Sequence, residues 1–112
     1  MDAQLQITDL ELGEGRELVR GALITTQYRG LLEDGSEFDS SYARGKPFQC
    51  VIGTGRVIKG WDLGLQGMRV GGKRRLWVPA ALGYGERAVG SIPPNSNLIF
   101  EIELLEVLTR DD

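Results

Sequence analysis

The segment NLIFEIELLEVL, residues 97–108, alternates apolar and acidic side chains. Leu98, Phe100, Ile102 and Leu104 fall on one side, Glu101 and Glu103 on the other. A side-chain period of two belongs to an extended strand, because successive Cβ atoms point to opposite faces. One apolar and one charged face is the mark of an antiparallel sheet covered on one side. The same period recurs elsewhere. In ALITTQYRGLL (22–32), Ala22, Ile24, Thr26 and Tyr28 share a face, and in PFQCVIG (47–53), Phe48, Cys50 and Ile52 do. GKRRLWVP (72–79) sends Leu76 and Val78 inward, with Lys73, Arg75 and Trp77 outward. LQITDLELGEG (5–15) also alternates before a glycine-rich turn, and EDG (33–35) is a hairpin turn leading into SEFDSS.

One stretch breaks the rule. VIKGWDLGLQGM (57–68) gathers Val57, Ile58, Trp61, Leu65 and Met68 on one face of a helical wheel. Lys59, Asp62 and Gln66 lie opposite, and Gly60, Gly64 and Gly67 line up beside the apolar face. Each interior glycine costs about 0.5–1 kcal/mol of helix stability relative to alanine. Close approach of the helix to a sheet is a physical reason to accept that cost, and such a helix is held by packing. The expected architecture is α+β, an antiparallel sheet with one short helix across a face. The segments 40–47 and 84–95 are the longest irregular stretches and candidates for functional loops.

At 112 residues the chain reads as one domain, 1–112. A net charge of −3 leaves no basic footprint, so nucleic acid is not an expected partner. No apolar run reaches the roughly 18 residues of a membrane span. A lone cysteine and a polar start, MDAQLQ, point to the cytoplasm, and nothing demands more than a monomer. The absence of histidine removes Ser-His-Asp and Cys-His nucleophiles, imidazole bases and most zinc sites. GTGRVIKG (53–60) carries Ile58 where a dinucleotide fingerprint needs glycine, and it lacks the ending of a phosphate-binding loop. Cys50, on an inward face, reads as a small buried apolar residue. No cofactor and no metal are expected.

What remains is a set of aromatic residues beside turns: Tyr28, Phe38, Phe48, Trp61, Tyr84 and Phe100. Ordinary core packing would account for most of them. Asp39 resists that reading, since a carboxylate next to Phe38 needs a partner if it is buried, and Arg44 stands five residues on. A hydrolase built on Asp39 and Glu37, which alternation places on one strand face, is a weak rival. Pattern alone reaches an α+β domain with an aromatic cleft.

The run YRGLLEDGSEFDSSYARGKPFQCVIGTGRVIKGWDLGLQGMRVGGKRRLWVPAALGYG, followed by IPPNSNLIFEIELL, closely resembles the FK506-binding (FKBP) family of peptidyl-prolyl cis–trans isomerases. The resemblance covers about Gly21 to Leu105 and includes G-x-E-F-D-S-S, V-I-x-G-W, the Y-G loop and I-P-P-N. It implies a strongly bent antiparallel sheet wrapped around one short helix. It also implies a proline pocket with Trp61 as floor and with Tyr28, Phe38, Phe48, Val57, Ile58 and Phe100 as walls. Tyr84 would offer its hydroxyl, and Ile58 its backbone N–H, to a carbonyl of the bound molecule. Asp39 would sit at the wall, tied to Arg44. Ile92 would cap the pocket from the loop side. Cys50 would stand where many members carry a bulkier residue, making that side roomier, and Arg56 would put a cation near the rim. The implied partners are proline-containing peptides or unfolded segments, with FK506- or rapamycin-type macrolides as inhibitors. The implied activity is isomerisation that assists folding. The alternative is a module that grips proline segments with little turnover.

Overall fold

The computed structural model describes residues 4–112. Six strands form one antiparallel sheet: β1 (Gln6–Glu11), β2 (Leu23–Leu32), β3 (Glu37–Ser40), β4 (Phe48–Val51), β5 (Lys73–Val78) and β6 (Leu98–Leu108). The order is β1-β5-β6-β2-β3, with β4 also paired to β2. The long strand β2 divides one edge between two partners. Leu23–Thr26 pairs with β4 and Arg29–Leu31 with β3. Its other edge runs against β6 from Leu23 to Leu32, with a bulge between Thr25 and Thr26.

The inward residues are those the alternation selects. Ala22, Ile24, Tyr28, Leu76, Val78, Leu98, Phe100, Ile102 and Leu104 are all buried in one cluster. Helix α2 (Lys59–Gly64) packs on that face, shorter than the 57–68 expected from the wheel. The glycines explain the packing. A Cβ on Gly60 would stand 2.5 Å from Val78 Cγ1, and one on Gly64 would stand 2.9 Å from Leu76 Cδ1. These two positions therefore bring the helix backbone against β5. Gly67 does something else. Its φ of 82° is left-handed and no atom crowds it, so it serves the turn that follows the helix rather than docking the helix on the sheet.

Arg74 was not expected among the inward residues, although it shares strand parity with Leu76 and Val78. It is 8% exposed and clamps the end of α2. Its guanidinium donates to the carbonyls of Gly64 and Gln66, both at 2.9 Å, and to Asp9 Oδ1 at 2.7 Å. A cation at the helix C-terminus is the favourable sign for the orphan carbonyls there.

The stretch 40–47, expected to be irregular, holds a single helical turn, α1 (Ser41–Arg44). Ser40 caps it by accepting from the Ala43 amide, and Gly45 closes it at φ 68°. Trp77 does not stand free on the outer face. It is half-buried, and its indole N–H donates to Glu33 Oε2 at 3.1 Å. Among the described residues, no helix is long and apolar enough to cross a membrane.

Candidate active site

Tyr28 lies in β2 between the stretches that pair with β4 and β3. Its backbone N–H donates instead to the buried hydroxyl of Ser41 at 2.7 Å. That bond ties the start of α1 to the strand and so carries Arg44 toward the Tyr28 ring. The Arg44 guanidinium sits 5.6 Å above the ring centroid. It also donates to the Tyr28 hydroxyl at 3.3 Å and pairs with Asp39 Oδ1. The Tyr28 hydroxyl donates in turn to Asp39 Oδ2, while Oδ1 accepts the Ser40 amide at 2.8 Å. Burial, then the bond to Asp39, raises the Tyr28 pKa above its usual value, so the phenol stays a donor.

Behind this polar group stands an aromatic box. Three rings meet the Trp61 indole nearly at right angles: Tyr28 at 5.1 Å and 88°, Phe100 at 5.6 Å and 89°, and Phe48 at 5.8 Å and 87°. Phe38 meets Phe100 edge-on at 5.7 Å. Edge-to-face contacts are the favoured geometry of aromatic pairs and fix ring orientation. Trp61 is 3% exposed, yet it lines a cavity of about 260 Å³. Tyr28, Phe38, Asp39, Phe48 and Phe100 line that cavity from the sheet side. Arg56, Val57, Ile58 and Tyr84 line it from the segment before α2 and from the loop after β5. A wider groove of about 780 Å³ runs alongside, bordered by Arg44, Lys46 and Phe48, but it offers only one aromatic ring.

Two further residues hold the walls in place. The Asp62 carboxylate accepts the Gly53 amide at 2.6 Å and the Gly55 amide at 2.9 Å, fastening the turn that delivers Arg56, Val57 and Ile58. The wheel treats Asp62 only as the solvated face of the helix. Gly30 makes room for two rings: a Cβ there would meet Phe38 Cζ at 2.5 Å and Phe100 Cε1 at 3.0 Å. A sequence signal for Gly30 exists, a glycine inside an otherwise good strand.

Three expected lining residues lie elsewhere. Cys50 is half-buried beside the core and does not line the cavity. Burial, then the charge of Asp62, pushes its thiol up to about 11, so at neutral pH it is not a thiolate. Ile92 is 5% exposed, packs in the core cluster, and is not among the side chains that line this cavity. Arg44 pairs with Asp39 as expected, but it borders the neighbouring groove rather than the cavity itself. The Asp39–Glu37 pair does not form, because Glu37 is exposed and faces Arg29 at 3.4 Å.

A small aromatic cavity with a few oriented polar groups, set between a helix and an antiparallel sheet, has the make-up of a binding site for a compact apolar group. A family model described as FKBP-type peptidyl-prolyl cis-trans isomerase matches residues 14–105. An FK506-binding protein of Neisseria meningitidis serogroup A is 53% identical over 104 residues, 92% of this chain and 95% of that one. FK506-binding protein 1 of Saccharomyces cerevisiae is 48% identical over 109 residues, 96% of each chain. The crystal structure of AtFKBP13 superposes with a TM-score of 0.86 at 47% identity, covering 91% of both chains. The chain belongs to the FKBP-type peptidyl-prolyl cis–trans isomerase family, with its antiparallel sheet and short helix. It is an isomerase of X–Pro peptide bonds.

Proposed function

We propose that the cavity over Trp61 receives the prolyl ring of a polypeptide segment and accelerates rotation about the preceding bond. The observation that carries this assignment is the aromatic box, three rings standing at right angles to the indole. Amide resonance sets a barrier of about 18–20 kcal/mol, while cis and trans X–Pro differ by only about 0.5–1 kcal/mol. The rotation breaks no covalent bond and needs no nucleophile. The planar amide carries strong charge separation, and the twisted one has lost much of it. An apolar enclosure therefore favours the twisted form relative to the planar one. A rate gain of about 10⁶ corresponds to about 8 kcal/mol of such differential stabilisation.

In this assignment Trp61 is the floor and Phe38, Phe48, Val57 and Phe100 are apolar walls. Tyr84 and the Ile58 amide donate to a carbonyl of the bound segment. The Ile58 amide is well suited, since it takes part in no backbone hydrogen bond of a turn or loop among the described residues. Tyr28, Asp39 and Arg44 form a fixed polar wall. The clients are proline-containing stretches of unfolded protein in the cytoplasm, handled by a monomer. FK506-type macrolides are competitive ligands of the same cavity, an assignment supported by the names of the relatives.

The test is cis–trans exchange of a Leu-Pro peptide followed by NMR, with and without FK506. Acceleration abolished by the macrolide is the expected outcome. Tight macrolide binding without acceleration would replace catalysis by recognition of proline segments.

A further inference from the structure

A second cavity, of about 400 Å³, adjoins the aromatic one and shares Arg56, Val57, Ile58 and Tyr84 with it. Its other side chains include Lys59 and Arg87. All three cations on this wall are exposed. Most basic residues of the protein are spoken for: Arg16, Arg29, Arg44, Arg69, Lys73, Arg74 and Arg75 each lie within 4.0 Å of a carboxylate. Among the described residues, Arg20, Lys46, Arg56, Lys59, Arg87 and Arg110 take part in no ion pair, and Arg56, Lys59 and Arg87 share this one wall. The carboxylate on the same helix, Asp62, has both oxygens engaged by the Gly53 and Gly55 amides. A chain of net charge −3 thus gathers three cations without ion-pair partners on one wall beside its binding cavity.

We propose that Arg56, Lys59 and Arg87 form a specificity subsite that selects proline segments bearing an Asp or Glu side chain near the proline. This deepens the assignment of the aromatic cavity as the proline site and rests on it. The reach follows from the shared wall: an extended chain advances about 3.3–3.6 Å per residue, so the acidic side chain falls within about three residues of the proline. Guanidinium groups suit the task, since they present planar, bidentate donors to carboxylates. Exposed pairs are individually weak and screened by salt. Their summed field instead raises the rate of productive encounter, so the effect belongs to kcat/KM and fades at high ionic strength.

The experiment compares Leu-Pro peptides carrying one Glu, Gln or Lys two or three residues before or after the proline. The readout is the Glu-to-Gln ratio of kcat/KM within each protein, which cancels any general change in activity. The expected ratio in the unmodified protein is about 5–10 at low salt, with the Lys peptide disfavoured, falling toward one in about 0.5 M NaCl. Lys59→Gln/Arg87→Gln should lower the ratio, and adding Arg56→Glu should bring it to one or below. A ratio of one at low salt, with the Gln peptide turned over normally, would overturn the subsite and leave the proline site standing. So would a preference that survives all three substitutions. No acceleration of any peptide would instead overturn the cavity assignment, and the subsite with it.

Discussion

The phenol of Tyr28 donates to one carboxylate oxygen of Asp39, while Arg44 pairs with the other. The three side chains come from β2, β3 and α1, so this triad joins three chain segments at one wall of the cavity. Removing Asp39 leaves a buried phenol and a guanidinium without their acceptor, which is the costly way to break a hydrogen bond. A double-mutant cycle of Tyr28→Phe and Asp39→Ala should show a coupling of about 1–2 kcal/mol in denaturant unfolding. Asp39→Ala should also lower kcat/KM for a Leu-Pro peptide by about tenfold, in line with a loss of about 1.4 kcal/mol. Strict additivity in the cycle would mean the triad is not energetically joined.

Gly30→Ala places a methyl carbon where Phe38 and Phe100 now stand. The rings must shift, and overpacking of this kind costs about 1–3 kcal/mol. Isomerase activity should fall by more than the loss of folded protein explains, because the displaced rings are cavity walls. Wild-type exchange rates in a folded Gly30→Ala protein would show that the walls tolerate the shift.

Cys50 offers a pH test. Its folded-state thiol lies at about 11 against an ordinary value of 9.0, raised by burial first and by Asp62 second. Folding therefore favours the neutral thiol, and this contribution is complete below about pH 8.5 and is lost as pH rises through the folded value. Alkylation of the native protein at pH 8 to 9 should be far slower than that of the urea-unfolded chain. Cys50→Val should lose less stability than the parent between pH 9 and 11. Equal alkylation rates for folded and unfolded protein at pH 9 would contradict the burial argument.

Thr26 is fully buried, and its hydroxyl has no hydrogen-bond partner among the described residues. Replacing it by valine keeps the shape and removes an unpaired polar atom. Thr26→Val should stabilise the fold by about 1 kcal/mol in urea titration, with activity unchanged. Destabilisation would reveal a partner for that hydroxyl.

Much of the sheet was legible because one rule applies to β2, β5 and β6: Ile24, Leu76, Phe100 and Leu104 each fall on the buried face that alternation assigns, whereas β1 alternates in sequence yet is exposed throughout. The glycines of α2 were legible for a similar reason, since only close approach to β5 explains Gly60 and Gly64. What escaped were features set by partners distant in sequence. Arg74 has the inward parity of Leu76 and Val78, but what makes a guanidinium tolerable there, the helix carbonyls and Asp9 that receive it, lies outside its strand. Ser41 looks like any loop serine until the gap between β3 and β4 leaves the Tyr28 amide to be satisfied. Alternation placed Cys50 and Ile52 toward the interior correctly. It cannot separate a residue facing the cavity from one facing the core, and Cys50 fell on the core side. The aromatic residues of the cavity were found because six of them cluster near turns, with the family resemblance drawing them into one site.

The central claim is that the Trp61 indole is both core and catalytic floor, and exchange spectroscopy on Trp61→Leu tests it directly. Substituting the buried indole should cost about 3 kcal/mol of stability, so rates must be compared at matched folded concentration. The expected result is strong acceleration of Leu-Pro exchange by the parent protein, reduced at least about tenfold in the folded variant, a loss of about 1.4 kcal/mol of transition-state stabilisation. Equal exchange rates for folded parent and folded Trp61→Leu would contradict the claim and return Trp61 to the core alone.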